Sequence, residues 1–414
     1  MNQPDRPHHW PSFWQFAFSA LAAINLWMAA LGALLMGLLA MLGEQFGPSG
    51  MPGSQPLALL LVASGLFALG LLVLPSAAYA LGRLSGWHLP DSQAWLRRLR
   101  PALWMLFVPP VIGLGFWLAG SPINWLLLPL LHILAVLLSV GWLAWIGMHG
   151  LPVGSDQRFW GVLACGLALG PLVIMILESL AGGAYLVIGL LALAGEPQLV
   201  DMLSQTLMEL QTDPTAINRT ELLPAVQTLL THLLRPGVIF AAFSLISVVV
   251  PLIEELFKPI AVWLLANRRL SPAQGFAIGC LSGAGYALFE SMLLGANADQ
   301  WATLVSARLG TSAMHILTAG MTGWGLAQAW KTGRYALLGL VYLAAVTVHG
   351  AWNALALGVG LASLPRAVGR PGALPQVSQL AEIAPAALAV LAILILFALF
   401  AANRWLAKQE RSLP

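Results

Sequence analysis

Charged side chains are scarce in this sequence. Asp, Glu, Lys and Arg make up 8% of its 414 residues, against 59% hydrophobic ones, and the mean hydropathy is +0.83. No soluble fold tolerates that balance, so the expected class is an all-α, polytopic integral membrane protein. A net charge of +3 provides nothing that resembles a nucleic-acid site, because the cations sit between apolar runs, where they set topology. Cysteine is almost missing. Cys165 and Cys280 lie inside apolar runs and read as packing residues rather than a disulfide or a metal pair. The HExxH zinc signature is absent. So is a repeated half with matching broken helices, which weighs against a transporter.

What is present is a series of about ten apolar segments, at roughly 12–42, 57–82, 101–119, 123–148, 159–194, 237–266, 273–295, 307–329, 335–358 and 383–403. The first follows a short polar start and is too long for a signal-peptide core, so it reads as an uncleaved span. The fifth is too long for one straight crossing and is expected to tilt, or to break near Ala181-Gly-Gly183. Gly120-Ser-Pro122 predicts a tight hairpin between the third and fourth. Arg6, Arg83, Arg97, Arg98, Arg100, Arg158, Arg268, Arg269, Lys331, Arg334, Arg404, Lys408 and Arg411 fall on one side, and only Arg219, Arg235, Arg366 and Arg370 on the other. The positive-inside rule then puts both termini in the cytoplasm.

The long polar loop over 195–236 is external on this topology. It carries two amphipathic stripes, Leu199, Met202, Leu203, Leu207 and Leu210, then Leu222, Val226, Leu229, Leu230 and Leu233, broken by Asp213-Pro214. The expected organisation is a membrane region over 1–194, this hairpin over 195–236, a four-helix core over 237–358, and a linker with the last span over 359–414.

Against this apolar background one stretch stands out, Pro251-Leu-Ile-Glu-Glu-Leu-Phe-Lys-Pro259. Glu254, Glu255 and Lys258 share one helical face there. Ionisable groups at hydrocarbon depth cost about 2.5–3.5 kcal/mol each even on lenient insertion scales. Pro251 and Pro259 withhold backbone donors from the Ser247 and Glu255 carbonyls, which then need water or protein beside them. An active-site helix accounts for this pattern, and a structural Glu–Lys ion pair is the bland alternative.

Glu290, His315 and His349 occupy the next three segments. Counted from the proposed cytoplasmic ends, these residues and Glu254 lie about 12–17 residues in, roughly 18–26 Å at 1.5 Å per residue, one layer in the outer half of the bilayer. Each sits on a face suited to protein. Gly275, Gly279, Gly283 and Tyr286 precede Glu290 at helical spacing. His315 shares its face with Ser312, Ala319 and Gly323, and His349 with Tyr342, Ala345 and Asn353. His132 and Glu178 read as interhelical hydrogen-bonding residues, and Arg308 lies near an outer boundary.

Two carboxylates and two histidines permit three chemistries. A desolvated glutamate can act as general base on a water that attacks a peptide carbonyl, with His349 and Asn353 donating to the oxyanion. Alternatively Glu290, His315 and His349 hold zinc and Glu254 is the base. In the third, Glu, Lys and His form an ion pathway of a transporter. A non-catalytic membrane scaffold of the same fold is a further alternative.

The series Glu254-Glu255-x-x-Lys258, Phe289-Glu290, His315 and His349-x-x-x-Asn353 resembles the PrsW family of intramembrane proteases. That family belongs to a wider group with the type II CAAX prenyl endopeptidases and bacteriocin-processing membrane proteases. Lys258 after the glutamate pair, and Tyr286-x-x-x-Glu290 where a CAAX protease has Phe-x-x-x-His, both favour the PrsW branch. The resemblance covers about 237–358. It implies a bacterial inner-membrane endopeptidase that cleaves a single-pass or other membrane-protein substrate, such as an anti-sigma factor. It makes Glu254 and Glu255 catalytic and His315 and His349 essential. Lys258, Glu290 and Asn353 complete the expected site, and the cofactor is zinc if a metal is used and otherwise none. In this scheme Glu254 activates water and Glu255 pairs with Lys258. The partners expected are that substrate and the lipid bilayer, and no oligomeric state follows.

Overall fold

The computed structural model describes residues 10–46, 56–194, 234–362 and 375–412, with scattered positions over 201–232. The described residues are almost wholly helical. In chain order the helices are α1 (Trp10–Phe46), α2 (Pro56–Ser85), α3 (Ser92–Arg98), α4 (Val108–Leu118), α5 (Asn124–Met148), α6 (Asp156–Ala164), α7 (Gly170–Ala194), α8 (Pro236–Ser244), α9 (Val250–Phe257), α10 (Ile260–Leu264), α11 (Pro272–Met292), α12 (Ala298–Thr332), α13 (Tyr335–Leu361) and α14 (Pro375–Arg411). A 3₁₀ turn (Pro101–Phe107) leads into α4, and π turns join α6 to α7 (Cys165–Leu169) and α8 to α9 (Leu245–Val249).

Among the described residues, eight helices are long and apolar enough to cross a membrane, and they coincide with eight of the expected segments. The other two, α11 and α12, are helical where expected but less apolar. Their packing explains this. On Gly275, Gly279 and Gly283 a Cβ would lie 2.5, 2.3 and 2.6 Å from the carbonyl oxygens of Gly323, Ala319 and His315, so α11 and α12 touch backbone to backbone. Another face of α11 meets the π turn at Cys165–Leu169. There a Cβ on Gly166 would fall 2.2 Å from the Ser282 oxygen, and one on Gly285 would fall 2.8 Å from the Leu163 oxygen. A helix enclosed by protein has no need of a lipid-facing stripe.

Two sequence expectations shift. The irregularity in the fifth segment falls at the π turn Cys165–Leu169 and not near Ala181-Gly-Gly183, through which α7 runs unbroken. The reason is packing, because Gly166 must admit α11, whereas Gly182 and Gly183 have nothing within 4 Å of an added Cβ. The expected linker after 359 is also shorter, since α13 extends to Leu361 and α14 already starts at Pro375. The hairpin between α4 and α5 is tight as expected, closed by Asn124 donating to the Ala119 carbonyl at 2.8 Å. Both cysteines are free thiols, and Cys280 packs against Gly147 and Gly320. The amphipathic stripes of 195–236, except Met202, and the Asp213-Pro214 break lie outside the described residues.

The chain divides into two compact units. The first comprises Met1–Leu172, Glu255–Ala345 and Ala392–Pro414, and the second Val173–Glu254 and Val346–Leu391. In the first, Trp301 is fully buried with Leu61, Leu128, Ala135, Ala296 and Val305. Helix α11 starts on a Ser271–Gln274 capping box with Pro272 in its first turn. Asn403 of α14 donates to the Gly147 and His149 carbonyls at 3.0 and 3.1 Å. In the second, Leu234 and Val377 form a small core with Ile239 and Leu361. Gly358 packs on Leu380, and Tyr185 hydrogen-bonds Ser244 at 3.0 Å.

Candidate active site

Glu254 and Glu255 are neighbours on α9, and the unit boundary falls between them. Their partners differ. In the first unit, Lys258 Nζ donates to Glu255 Oε1 at 2.7 Å, and neither side chain has any solvent exposure. A buried pair of this kind stabilises only through good geometry and further contacts. Here the ammonium also stands 5.2 Å over the Tyr286 ring. Past Lys258 the chain turns at Pro259, and Ser282 of α11 donates its hydroxyl to the Lys258 carbonyl at 2.5 Å. Trp263 donates its indole N–H to the Leu256 carbonyl at 3.0 Å.

Beyond Tyr286 lies His315 of α12, edge to face with the phenol ring at 5.1 Å. Glu290 of α11 meets His315 Nε2 with Oε2 at 2.6 Å and accepts from Arg308 through Oε1 at 2.9 Å. This changes the expected ligand set of Glu290, His315 and His349. Both oxygens of Glu290 already serve Arg308 and His315, so Glu290 is placed as a carboxylate behind a histidine rather than as a ligand itself.

In the second unit, Glu254 Oε2 and His349 Nε2 face each other at 4.0 Å, with Glu254 7% and His349 2% exposed. That gap exceeds a hydrogen bond and suits two donors of one small cation. Carboxylate and imidazole are also the donor types of catalytic zinc. The donor chemistry therefore fits a metal.

Asn353 sits otherwise than expected. Pro251 has no N–H to return to the preceding turn, and a π turn stands there. Asn353 donates its amide to the Ile246 carbonyl at 2.9 Å. Gly350, one turn earlier on α13, comes so close to the Ser247 carbonyl that a Cβ would lie 2.3 Å from it. In the π turn the Val250 N–H returns to the Leu245 carbonyl, so Pro251 leaves the Ile246 carbonyl open instead of that of Ser247, and Asn353, expected as an oxyanion donor, satisfies it.

Sequence reasoning placed Arg308 near an outer boundary and left both it and Tyr286 outside the site. Arg308 precedes His315 by seven residues, two helical turns on the same face, and that spacing is the signal that could have found it. His132 is fully buried on α5 and meets the backbone of Ser291 and Met292 at the end of α11, in keeping with an interhelical hydrogen-bonding residue.

An all-α membrane protein with buried glutamate, histidine and lysine on neighbouring helices belongs to the class of polytopic membrane proteins with an intramembrane polar site. Residues 216–379 match the model of the PrsW family intramembrane metalloproteases, so this region of the chain is similar to that family. The match includes every residue named in both half-sites. No curated protein and no solved structure matches the chain.

Proposed function

We propose that this protein is an inner-membrane endopeptidase that hydrolyses a peptide bond of a membrane-protein substrate, with Glu254, His315 and His349 at its hydrolytic centre. The observation that carries this reading is the unequal treatment of two adjacent glutamates. Glu255 is neutralised by Lys258 at 2.7 Å. Glu254 faces an imidazole at 4.0 Å instead, within a family region whose members are proteases. Covalent geometry keeps the two α-carbons about 3.8 Å apart, so the structural carboxylate anchors the reactive one.

Glu254 accepts the proton of the attacking water and returns it to the leaving amine. His349 stabilises charge developing on the scissile carbonyl oxygen. If the enzyme uses a divalent cation, zinc foremost, Glu254 and His349 would offer it a carboxylate and an imidazole, Glu254 then serving as ligand in place of general base. When bound, such an ion supplies Lewis-acid polarisation of the carbonyl. The chain's own residues exclude lipid, orient the carbonyl and move the proton. A substrate helix hides its carbonyls in its own hydrogen bonds, so segments that unwind easily are favoured. A single-pass substrate such as an anti-sigma factor fits this requirement.

The topology we propose has ten spans, with α11 and α12 completing the eight more apolar ones, and both termini in the cytoplasm of a bacterial cell. On this topology the loop over 195–236 is external.

The test uses full-length protein in liposomes with a panel of single-span peptides, cleavage being read by mass spectrometry. Cleavage by the wild type and none by Glu254→Gln supports the reading. Cleavage by Glu254→Gln at the wild-type rate overturns it, and proton-coupled solute uptake without cleavage places the protein among transporters. About one equivalent of zinc, lost in His315→Ala, selects the metal centre. Full activity in chelator selects Glu254 acting as base alone.

A further inference from the structure

We infer that Arg308 is a positioning residue for His315 and acts through Glu290. This rests on the proposed role of His315 in the hydrolytic centre. Arg308 and His315 lie two turns apart on one face of α12, and the Glu290 carboxylate of α11 spans the interval. Oε1 is held by Arg308 at 2.9 Å and Oε2 meets His315 Nε2 at 2.6 Å. A carboxylate gripped at one oxygen by a guanidinium has lost its freedom to rotate, so its other oxygen is aimed.

That aim settles what the backbone leaves undetermined. Beside His315 the two helices are already locked, since a Cβ on Gly283 would lie 2.6 Å from the His315 carbonyl. The imidazole still has its own torsions and two tautomers. Tyr286 restricts the ring by an edge-to-face contact at 5.1 Å. Glu290 fixes which nitrogen carries the proton, namely Nε2, and this makes Nδ1 the nitrogen that serves the centre. Arg308 itself does not contact the reacting atoms. Its side chain is 18% exposed and that of Glu290 36%.

The experiment compares the full-length wild type with Arg308→Gln, Arg308→Lys, Glu290→Gln and the double variant Arg308→Gln/Glu290→Gln. Zinc affinity is read by chelator competition, and kcat and KM on a cleaved single-span peptide. Arg308→Gln is expected to weaken zinc binding and lower kcat by about 10–100-fold, as loss of an outer-shell partner does. KM should stay within about twofold, because kcat falls without KM when an interaction of the reacting centre is lost. Arg308→Lys should recover part of the loss. The double variant should be no worse than Glu290→Gln, since two residues acting along one line are not additive.

Wild-type kcat and zinc affinity in Arg308→Gln, or additive losses in the double variant, would overturn the positioning role. Should Arg308→Gln fail to fold, Arg308→Lys combined with Glu290→Gln supplies the same additivity test. His315→Ala separates the two readings. If it cleaves like the wild type, the hydrolytic role of His315 fails. If it is inactive while Arg308→Gln is unimpaired, only the positioning role fails.

Discussion

In the first unit, Glu255 pairs with Lys258, and Glu290 with Arg308 and His315, at 2.6–2.9 Å. Glu290, Arg308 and His315 stand on helices that touch backbone to backbone through Gly275, Gly279 and Gly283. In the second unit, Glu254, on a helix interrupted by a π turn and a proline, stands 4.0 Å from His349 of α13. Short contacts between opposite charges commit each group to the other and preserve shape. A wider gap between a carboxylate and an imidazole leaves room for something else between them. One half-site is therefore built as scaffold and the other as a place for chemistry, although their glutamates are consecutive residues.

The sharpest way to break this comparison is to neutralise each glutamate in turn. Glu254→Gln should lower kcat by about 10²–10⁴-fold, the usual value of a positioned general base, and leave the thermal midpoint in detergent near that of the wild type. If it unfolds the protein instead, the division into scaffold and chemistry is wrong. Next in size is Lys258→Met, which strands Glu255 in a site without solvent and should cost about 3–5 kcal/mol of stability. Unfolding in mixed detergent measures it. The double variant Glu255→Leu/Lys258→Met should regain most of that loss, since an apolar pair of similar volume leaves no uncompensated charge.

Much of this contrast is legible in the sequence, because helix periodicity dictates it. Glu255 and Lys258 are three residues apart, so their pairing follows from helix geometry alone. The glycine stripe of α11 announces close approach whatever the partner. Tertiary choices are another matter. Whether Glu290 ligates an ion or holds His315 depends on where Arg308 projects, and hydropathy placed Arg308 at a span edge. The π turn at Cys165–Leu169 arises because Gly166 must admit the Ser282 carbonyl, a contact between segments more than a hundred residues apart. Gly182 and Gly183 look like the better breakers by composition, yet a pair of glycines with nothing against them does not bend a helix bonded on both sides.

A third, smaller effect tests whether the glycines of the scaffold are used for approach or merely tolerated. Gly279→Ala puts a Cβ 2.3 Å from the Ala319 oxygen and should destabilise by about 1–3 kcal/mol through overpacking. Gly182→Ala meets nothing within 4 Å and should be neutral or stabilising by up to about 1 kcal/mol, through helix propensity. Equal effects at the two positions would remove the packing argument for α11.

The smallest expected effect bears on the second half-site. If Asn353 serves the Ile246 carbonyl, Asn353→Ala removes one interhelical hydrogen bond. It should then cost about 0.6–1.7 kcal/mol, the range measured for such bonds in membranes, and lower kcat less than about tenfold. An oxyanion donor would instead cost about 10²–10³ in kcat with little change in stability, so the ratio of the two losses separates the roles. Pro251→Ala adds a further arm. By returning an N–H to the turn that holds the Ile246 carbonyl, it should make Asn353→Ala cheaper in that background than in the wild type. The latch and the proline are then halves of one device, a helix opened beside Glu254 and held open by a side chain from α13. If Asn353→Ala costs the same with and without Pro251, the amide answers to something other than the carbonyl the proline leaves unpaired.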